Sequence, residues 1–187
     1  MKSRLRDHID QVVPLTDTEF EAVNAHFTAK TYRKHQFLIQ EGSPVPHAYF
    51  IVSGLLKLVY TDVAGKQHIL SFALEDWWES DFTAYYRQTP ATLSLECIEE
   101  TSVLCLALDD YHRLCATQPK MAHFFLHKAT FGHLGAQQRI VSLLTTSAKE
   151  RYEQLVEQFP SLLQRVPKTL LAAYLGVSRE TLSRLSA

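Results

Sequence analysis

The hydrophobic pattern turns from strand-like to helical at Asp109-Asp110, and that change most constrains what the chain can fold into. Before it, from residue 31 to about 108, apolar residues come in short runs at 37–39, 49–52, 55–60, 68–73, 93–95 and 103–108. Turn formers separate them: Glu41-Gly42-Ser43-Pro44, Ser53-Gly54, the stretch 62–66 and the stretch 87–90. Short runs with Gly and Pro punctuation predict many antiparallel strands closed into a barrel or sandwich. After the acidic pair the spacing is helical, and Met121, Phe124, Phe125, Phe131, Leu134, Ile140, Val141 and Leu144 mark one helix over about 117–146. That is roughly twice the usual helix length of about 11–12 residues. Such a helix carries more apolar surface than one small barrel covers, which implies a partner helix; the alternative is a core helix of the same chain. Gly132 and Gly135 weaken it locally or admit a second backbone closely.

Ahead of the strands, Leu5, Ile9, Val12 and Val13 fall at helical spacing up to Pro14. A second helix starts at Thr16-Asp17, whose side-chain oxygens suit an N-cap, with Phe20, Val23 and Phe27 on one face. Behind the long helix, Ser147-Ala148-Lys149-Glu150 has the S-x-x-E spacing of a capping box, and that helix ends at Pro160. The break at Thr146-Ser147 divides the chain into 1–146 and 147–187. The expected fold class is α+β: N-terminal helices on an antiparallel β-roll of jelly-roll type, a long dimerisation helix (117–146), and an all-α C-terminal domain.

That last domain carries the most specific pattern. Leu171 and Leu175 share one face of a first helix, Ala172 is small where two helices would cross, Gly176 suits a left-handed turn, Ser178 caps a second helix, and Leu182 and Leu185 point back. Together these positions spell a helix-turn-helix. Burying Leu182 and Leu185 leaves Arg179, Glu180, Thr181, Ser183 and Arg184 outward. Arginine pairs bidentately with guanine and glutamate accepts from cytosine, so the second helix has the chemistry of a major-groove reader. Lys168 and Thr169 stand beside the first helix, where phosphates would pass. The alternative is a solvated, charged helical hairpin. The formal net charge of −1 does not favour a nucleic-acid partner. It hides a local excess, however: from 165 onward Arg165, Lys168, Arg179 and Arg184 face only Glu180, which is +3.

With these residues in view, the chain resembles the cyclic-AMP receptor protein/FNR family of bacterial transcription regulators from about Leu15 to Leu185. Gly42, the run Tyr49 to Val52, and Gly54 are similar to that family's β-roll signature, and Ser178-Arg179-Glu180-Thr181-Leu182-Ser183-Arg184 is similar to its recognition helix. The resemblance implies a homodimer on a palindromic DNA site, with RNA polymerase as a further partner. It implies base contacts from Arg179, Glu180, Ser183 and Arg184, and backbone contacts from Lys168, Thr169, Ser178 and Thr181. Met121, Phe124, Phe125, Phe131 and Leu134 would form the dimer helix. Two recognition helices would then stand about 34 Å apart, one turn of DNA.

Two departures qualify the resemblance. The family's phosphate cassette has a Gly-Glu pair and, about ten residues later, an Arg-Ser pair; counted from Asp76, those places hold Glu79-Ser80 and Pro90-Ala91. Without the arginine, an anion in an apolar pocket stays unpaired. No cofactor is expected, no cyclic nucleotide is expected to bind, and the effector is unidentified. Arg87 lies three residues early, and a loop shift that restored it would make a cyclic-nucleotide-responsive regulator. Trp77, Trp78, Phe82, Tyr85 and Tyr86 make the region aromatic and either line a pocket, together with Glu79, Ser80, Arg87, Pro90, Ala91 and Thr92, or fill it. The second departure is that only Ser186 and Ala187 follow Leu185, so no wing hairpin is expected. A sensor or interaction module without productive DNA binding is the rival function.

The remaining features are quieter. Cys97, Cys105 and Cys115 have no zinc or disulfide spacing, and reduced thiols are expected. His123, His127 and His133 lack a metalloenzyme pattern and are read as surface or interface histidines, with no metal expected. No nucleophile elbow or phosphate-binding glycine loop occurs, so no enzyme activity is expected. No apolar run reaches the roughly 18 residues of a membrane span, and the N-terminus lacks a signal-peptide core; a cytoplasmic location is expected.

Overall fold

In the computed structural model, which describes residues 1–185, strands give way to helices at Leu108, next to the acidic pair. Two helices, α1 (Lys2–Asp10) and α2 (Asp17–Asn24), come first. Thr16 accepts the Glu19 amide while the Glu19 carboxylate takes the Thr16 amide, a complete capping box. Phe27, expected on α2, instead opens the first strand, since that helix stops at Asn24.

Eight strands follow among the described residues: β1 (Phe27–Tyr32), β2 (Phe37–Ile39), β3 (His47–Ser53), β4 (Leu56–Thr61), β5 (Gln67–Ala73), β6 (Trp78–Glu79), β7 (Ser94–Cys97) and β8 (Thr101–Ala107). They form two four-stranded sheets, ordered β1-β8-β3-β6 and β2-β7-β4-β5. Tyr49 faces Cys105 in the first sheet and Leu58 faces Leu95 in the second, both in antiparallel register. Between the sheets Tyr49, Ile51, Leu56, Leu95, Val103 and Tyr85 are almost fully buried. Gly54 sits at φ +106° where the chain turns from β3 into β4, and a Cβ there would collide with Thr101 and the Glu100 carbonyl.

The helices after β6 are α3 (Phe82–Arg87), α4 (Leu108–Thr117), α5 (Pro119–Thr145), α6 (Ala148–Gln158), α7 (Leu162–Arg165), α8 (Lys168–Leu175) and α9 (Arg179–Leu185). The 27 residues of α5 match the expected long helix, and Ser147 with Glu150 caps α6 from both sides. Contacts group the chain into two compact units. One comprises residues 1–60 and 71–129; the other comprises 61–70 with the chain from 130 onward. The dividing line therefore crosses α5, whereas the expected boundary at 146/147 lies between α5 and α6. Residues 186 and 187 of the expected C-terminal domain lie outside the described residues. Among those described, no helix is long and apolar enough to cross a membrane.

Candidate functional site

In the second unit, α8 turns Leu171, Ala172 and Leu175 inward and α9 returns Leu182, each at most 3 % exposed. Gly176 takes φ +70° and ψ 31°, and the Val177 amide reaches back to the Ala172 carbonyl at 3.0 Å. The Ser178 hydroxyl accepts the Thr181 amide at 3.2 Å, which fixes the start of α9. Because Leu182 is the inward anchor, Arg179, Glu180, Ser183 and Arg184 are exposed and Thr181 is half-buried. Leu185, expected in the core, is only half-buried. Lys168 and Thr169 are exposed at the start of α8. Glu180 is held below the usual carboxylate range, first by its own backbone amide and then by the Ser178 hydroxyl, so it is an acceptor at neutral pH.

Two arginines that no sequence motif marks close the other end of α8. Its last carbonyls, Tyr174 and Leu175, accept from Arg139 at 2.9 Å and Arg151 at 3.1 Å. A cation there also complements the helix dipole. Arg139 donates to the Ile69 carbonyl of β5 at 3.0 Å as well, and its guanidinium carbon lies 3.6 Å from the Tyr174 ring centroid. In the same unit a cleft of about 610 Å³ is bounded by Lys66, Gln67 and His68 on one side and Thr169, Ser178 and Arg179 on the other. Sequence reasoning could not pair these residues, since about a hundred positions separate them.

In the first unit the loop after Pro90 is closed by internal partners. Ala91 N–H donates to the Ser43 carbonyl at 2.8 Å. The next two amides, Thr92 and Leu93, donate to the buried Asp81 carboxylate at 2.8 and 3.1 Å, and the Thr92 hydroxyl adds a third bond to it. The other Asp81 oxygen caps α3 through the Ala84 amide at 3.0 Å. Burial pushes the Asp81 carboxyl up, but these donors outweigh it and hold it below its ordinary value. The carboxylate therefore sits as an internal anion against the loop that, by sequence, stands where the resemblance puts a phosphate.

The aromatic residues nearby do not converge. Residues 82–87 are helical, so Tyr85 points inward while Phe82 and Tyr86 stack on each other outside, Phe82 being 39 % exposed. Trp77 is equally exposed, and Trp78 packs among Phe27, Phe50, Phe124 and Phe125. Tyr85 alone is fully buried, its hydroxyl donating to the Leu106 carbonyl at 3.2 Å. Glu79 and Ser80 are buried too. Burial raises the Glu79 carboxyl to about 7, and a hydrogen bond from Ser71 opposes the rise. Arg87, Pro90 and Thr92 are exposed and Ala91 is buried. Of the two readings the sequence left open, a pocket lined by these aromatics or one filled by them, the short helix α3 assembles neither as one cluster, because it sends neighbouring rings to opposite faces.

The expected dimer set also divides. Met121, Phe124 and Phe125 are buried against Leu5, Ile9, Phe50 and Leu114 of their own unit, so they are core residues and not available to a partner. Further along α5, Phe131 is 59 % exposed, Leu134 45 %, Val141 57 % and Leu144 80 %. Gly132 and Gly135 have open space where a Cβ would stand. His123 and His133 are exposed, and no three His, Cys, Asp or Glu side chains cluster like a metal site among the described residues.

Comparison with known proteins identifies the fold. Residues 29–118 match the cyclic nucleotide-binding domain family. The structure of FixK2 from Bradyrhizobium japonicum superposes with a TM-score of 0.73 at 22 % identity, covering 86 % of this chain and 82 % of that one. The fold is that of the Crp/Fnr regulators. The regulator CLP of Xanthomonas campestris, described as responsive to c-di-GMP, gives 0.71 at 16 % identity over 88 % of this chain and 87 % of its own. The catabolite activator protein of Thermus thermophilus gives 0.58 at 22 % identity over 92 % and 82 %. No curated protein matches the sequence significantly. In this fold α5 is the long helix, and α8 and α9 are the last two helices among the described residues.

Proposed function

We propose that the protein is a homodimeric, sequence-specific DNA-binding transcription regulator of the cytoplasm, reading a palindromic site and meeting RNA polymerase there. The observation that carries this reading is the exposed set Arg179, Glu180, Ser183 and Arg184 on a helix capped by Ser178 and anchored by Leu182. These residues offer donors and an acceptor to base edges, while Lys168, Thr169, Ser178 and Thr181 lie where phosphates set register. The exposed apolar side chains of α5 between 131 and 144 form the seam between two copies.

On this reading the β-roll takes no cyclic nucleotide. The amides of residues 91–93 are already bonded to Ser43 and Asp81, and neither Pro90 nor Ala91 can neutralise a phosphate. Calorimetry with cyclic AMP and cyclic GMP is expected to give no saturable heat; saturable binding abolished by Arg87→Ala would overturn this part.

The main test is selection of duplexes from a random pool at fixed salt, since affinities without it are uninterpretable. The expected result is a palindrome whose half-sites lose a G·C preference worth about 1–3 kcal/mol in Arg179→Ala. Enrichment of no duplex by the wild type would favour the sensor-module reading instead.

A further inference from the structure

Among the described residues α5 and α6 are joined covalently only through Thr146 and Ser147. A helix-turn-helix carried on two residues would swing, and two recognition helices that swing cannot hold a fixed separation on DNA. Arg139 supplies a second point of attachment. It lies about six residues, or about 9 Å along the helix axis, before the end of α5. From there its guanidinium donates to the Tyr174 carbonyl at the end of α8 and to the Ile69 carbonyl of β5, and stacks on the Tyr174 ring. Arg151 clamps the neighbouring Leu175 carbonyl and the hinge carbonyl of Thr146. Gly176 follows directly on these carbonyls, and α9 begins four residues after Leu175, at Arg179.

We infer that Arg139 is the positioning residue that fixes the angle between the long helix and the reader, and thereby the half-site spacing the dimer accepts. The inference rests on the DNA-binding reading above. One guanidinium nitrogen donates to both carbonyls while the guanidinium plane stacks on the Tyr174 ring; a lysine ammonium has donors but no plane to stack, so Arg139→Lys keeps the charge and loses the fixed, stacked geometry. A residue acting in this way alters which spacing is accepted and leaves the base contacts of each half-site intact.

The test uses the full-length wild type, Arg139→Lys and Arg139→Ala. Each is titrated with the selected palindrome, with versions whose spacer is longer or shorter by one and two base pairs, and with a single half-site. A thermal melt of each variant is recorded alongside. The expected result is that half-site affinity stays within about twofold of wild type while the preference for the selected spacing falls from about tenfold or more to about twofold. Spacing preference intact in both variants overturns the inference, as does a parallel loss of half-site and full-site affinity with a lowered melt, which is a merely structural role. If the wild type itself selects no duplex, the DNA-binding reading fails and this inference with it. Intact spacing preference beside a lost G·C preference in Arg179→Ala fails the inference alone.

Discussion

The two compact units use their side chains in opposite ways. In the first, polar groups are turned on one another: Asp81 takes up two loop amides and a hydroxyl, Glu79 takes the Ser71 hydroxyl, and Lys57 meets Glu96 at 2.9 Å with both largely buried. In the second, the groups that define it point outward, from the cations of α9 to the apolar side chains of α5 beyond residue 130. In the first unit these polar groups are satisfied internally, whereas in the second the cations of α9 and several apolar side chains of α5 stand exposed. The two halves of α5 show the contrast within a single element, since Phe124 and Phe125 are core whereas Phe131 is largely exposed.

Phe124→Ala and Phe131→Ala break that comparison most sharply. The first removes a fully buried ring and is expected to cost about 3–5 kcal/mol in a chemical melt. The second is expected to leave the protomer's stability within about 0.5 kcal/mol and to weaken self-association in sedimentation. Equal destabilisation by both would show that α5 is covered along its whole length.

Asp81→Ala sharpens the account of the closed loop. It strands the Thr92 and Leu93 amides and should cost about 3 kcal/mol. Millimolar inorganic phosphate is expected to recover part of the loss in the variant and to do nothing for the wild type, because a ligand of the native state stabilises by mass action. Phosphate that leaves the variant's melt unmoved would mean the vacated cradle does not accept an anion.

The pH dependence of stability has two opposed components in the first unit. His8 is pushed down to about 4, first by burial and then by the charge of Lys128. Between about 4 and 6.5 the unfolded chain therefore binds the extra proton, and stability rises with pH. Glu79 is raised to about 7 from 4.5, so the folded chain holds the extra proton and stability falls as pH rises through that window. The wild type should be nearly flat where the windows overlap. His8→Phe is expected to leave only the fall and Glu79→Gln only the rise, each of about 3 kcal/mol at most. A rise that survives His8→Phe would assign it to another group.

The smallest expected effect concerns the open unit. Lys168→Ala should weaken DNA binding uniformly across sequences and reduce the salt slope by about 0.9 for each phosphate no longer neutralised. A change in sequence preference instead would move Lys168 from the backbone to a base.

The change of period at Asp109-Asp110, the caps at Thr16 and Ser147, and the left-handed glycine at 176 were legible in the sequence because each is set by local physics: side-chain spacing, an oxygen near unpaired amides, a missing Cβ. The same locality made the outward set on α9 legible, since Leu182 alone decides which face is buried. What the tertiary structure decided was partnership between distant residues. That Asp81 would serve the amides after Pro90, that Arg139 would reach carbonyls of β5 and α8, and that Phe124 would be core while Phe131 is surface all depend on which elements meet. Hydrophobic spacing measures how apolar a face is, but carries no information on what covers it.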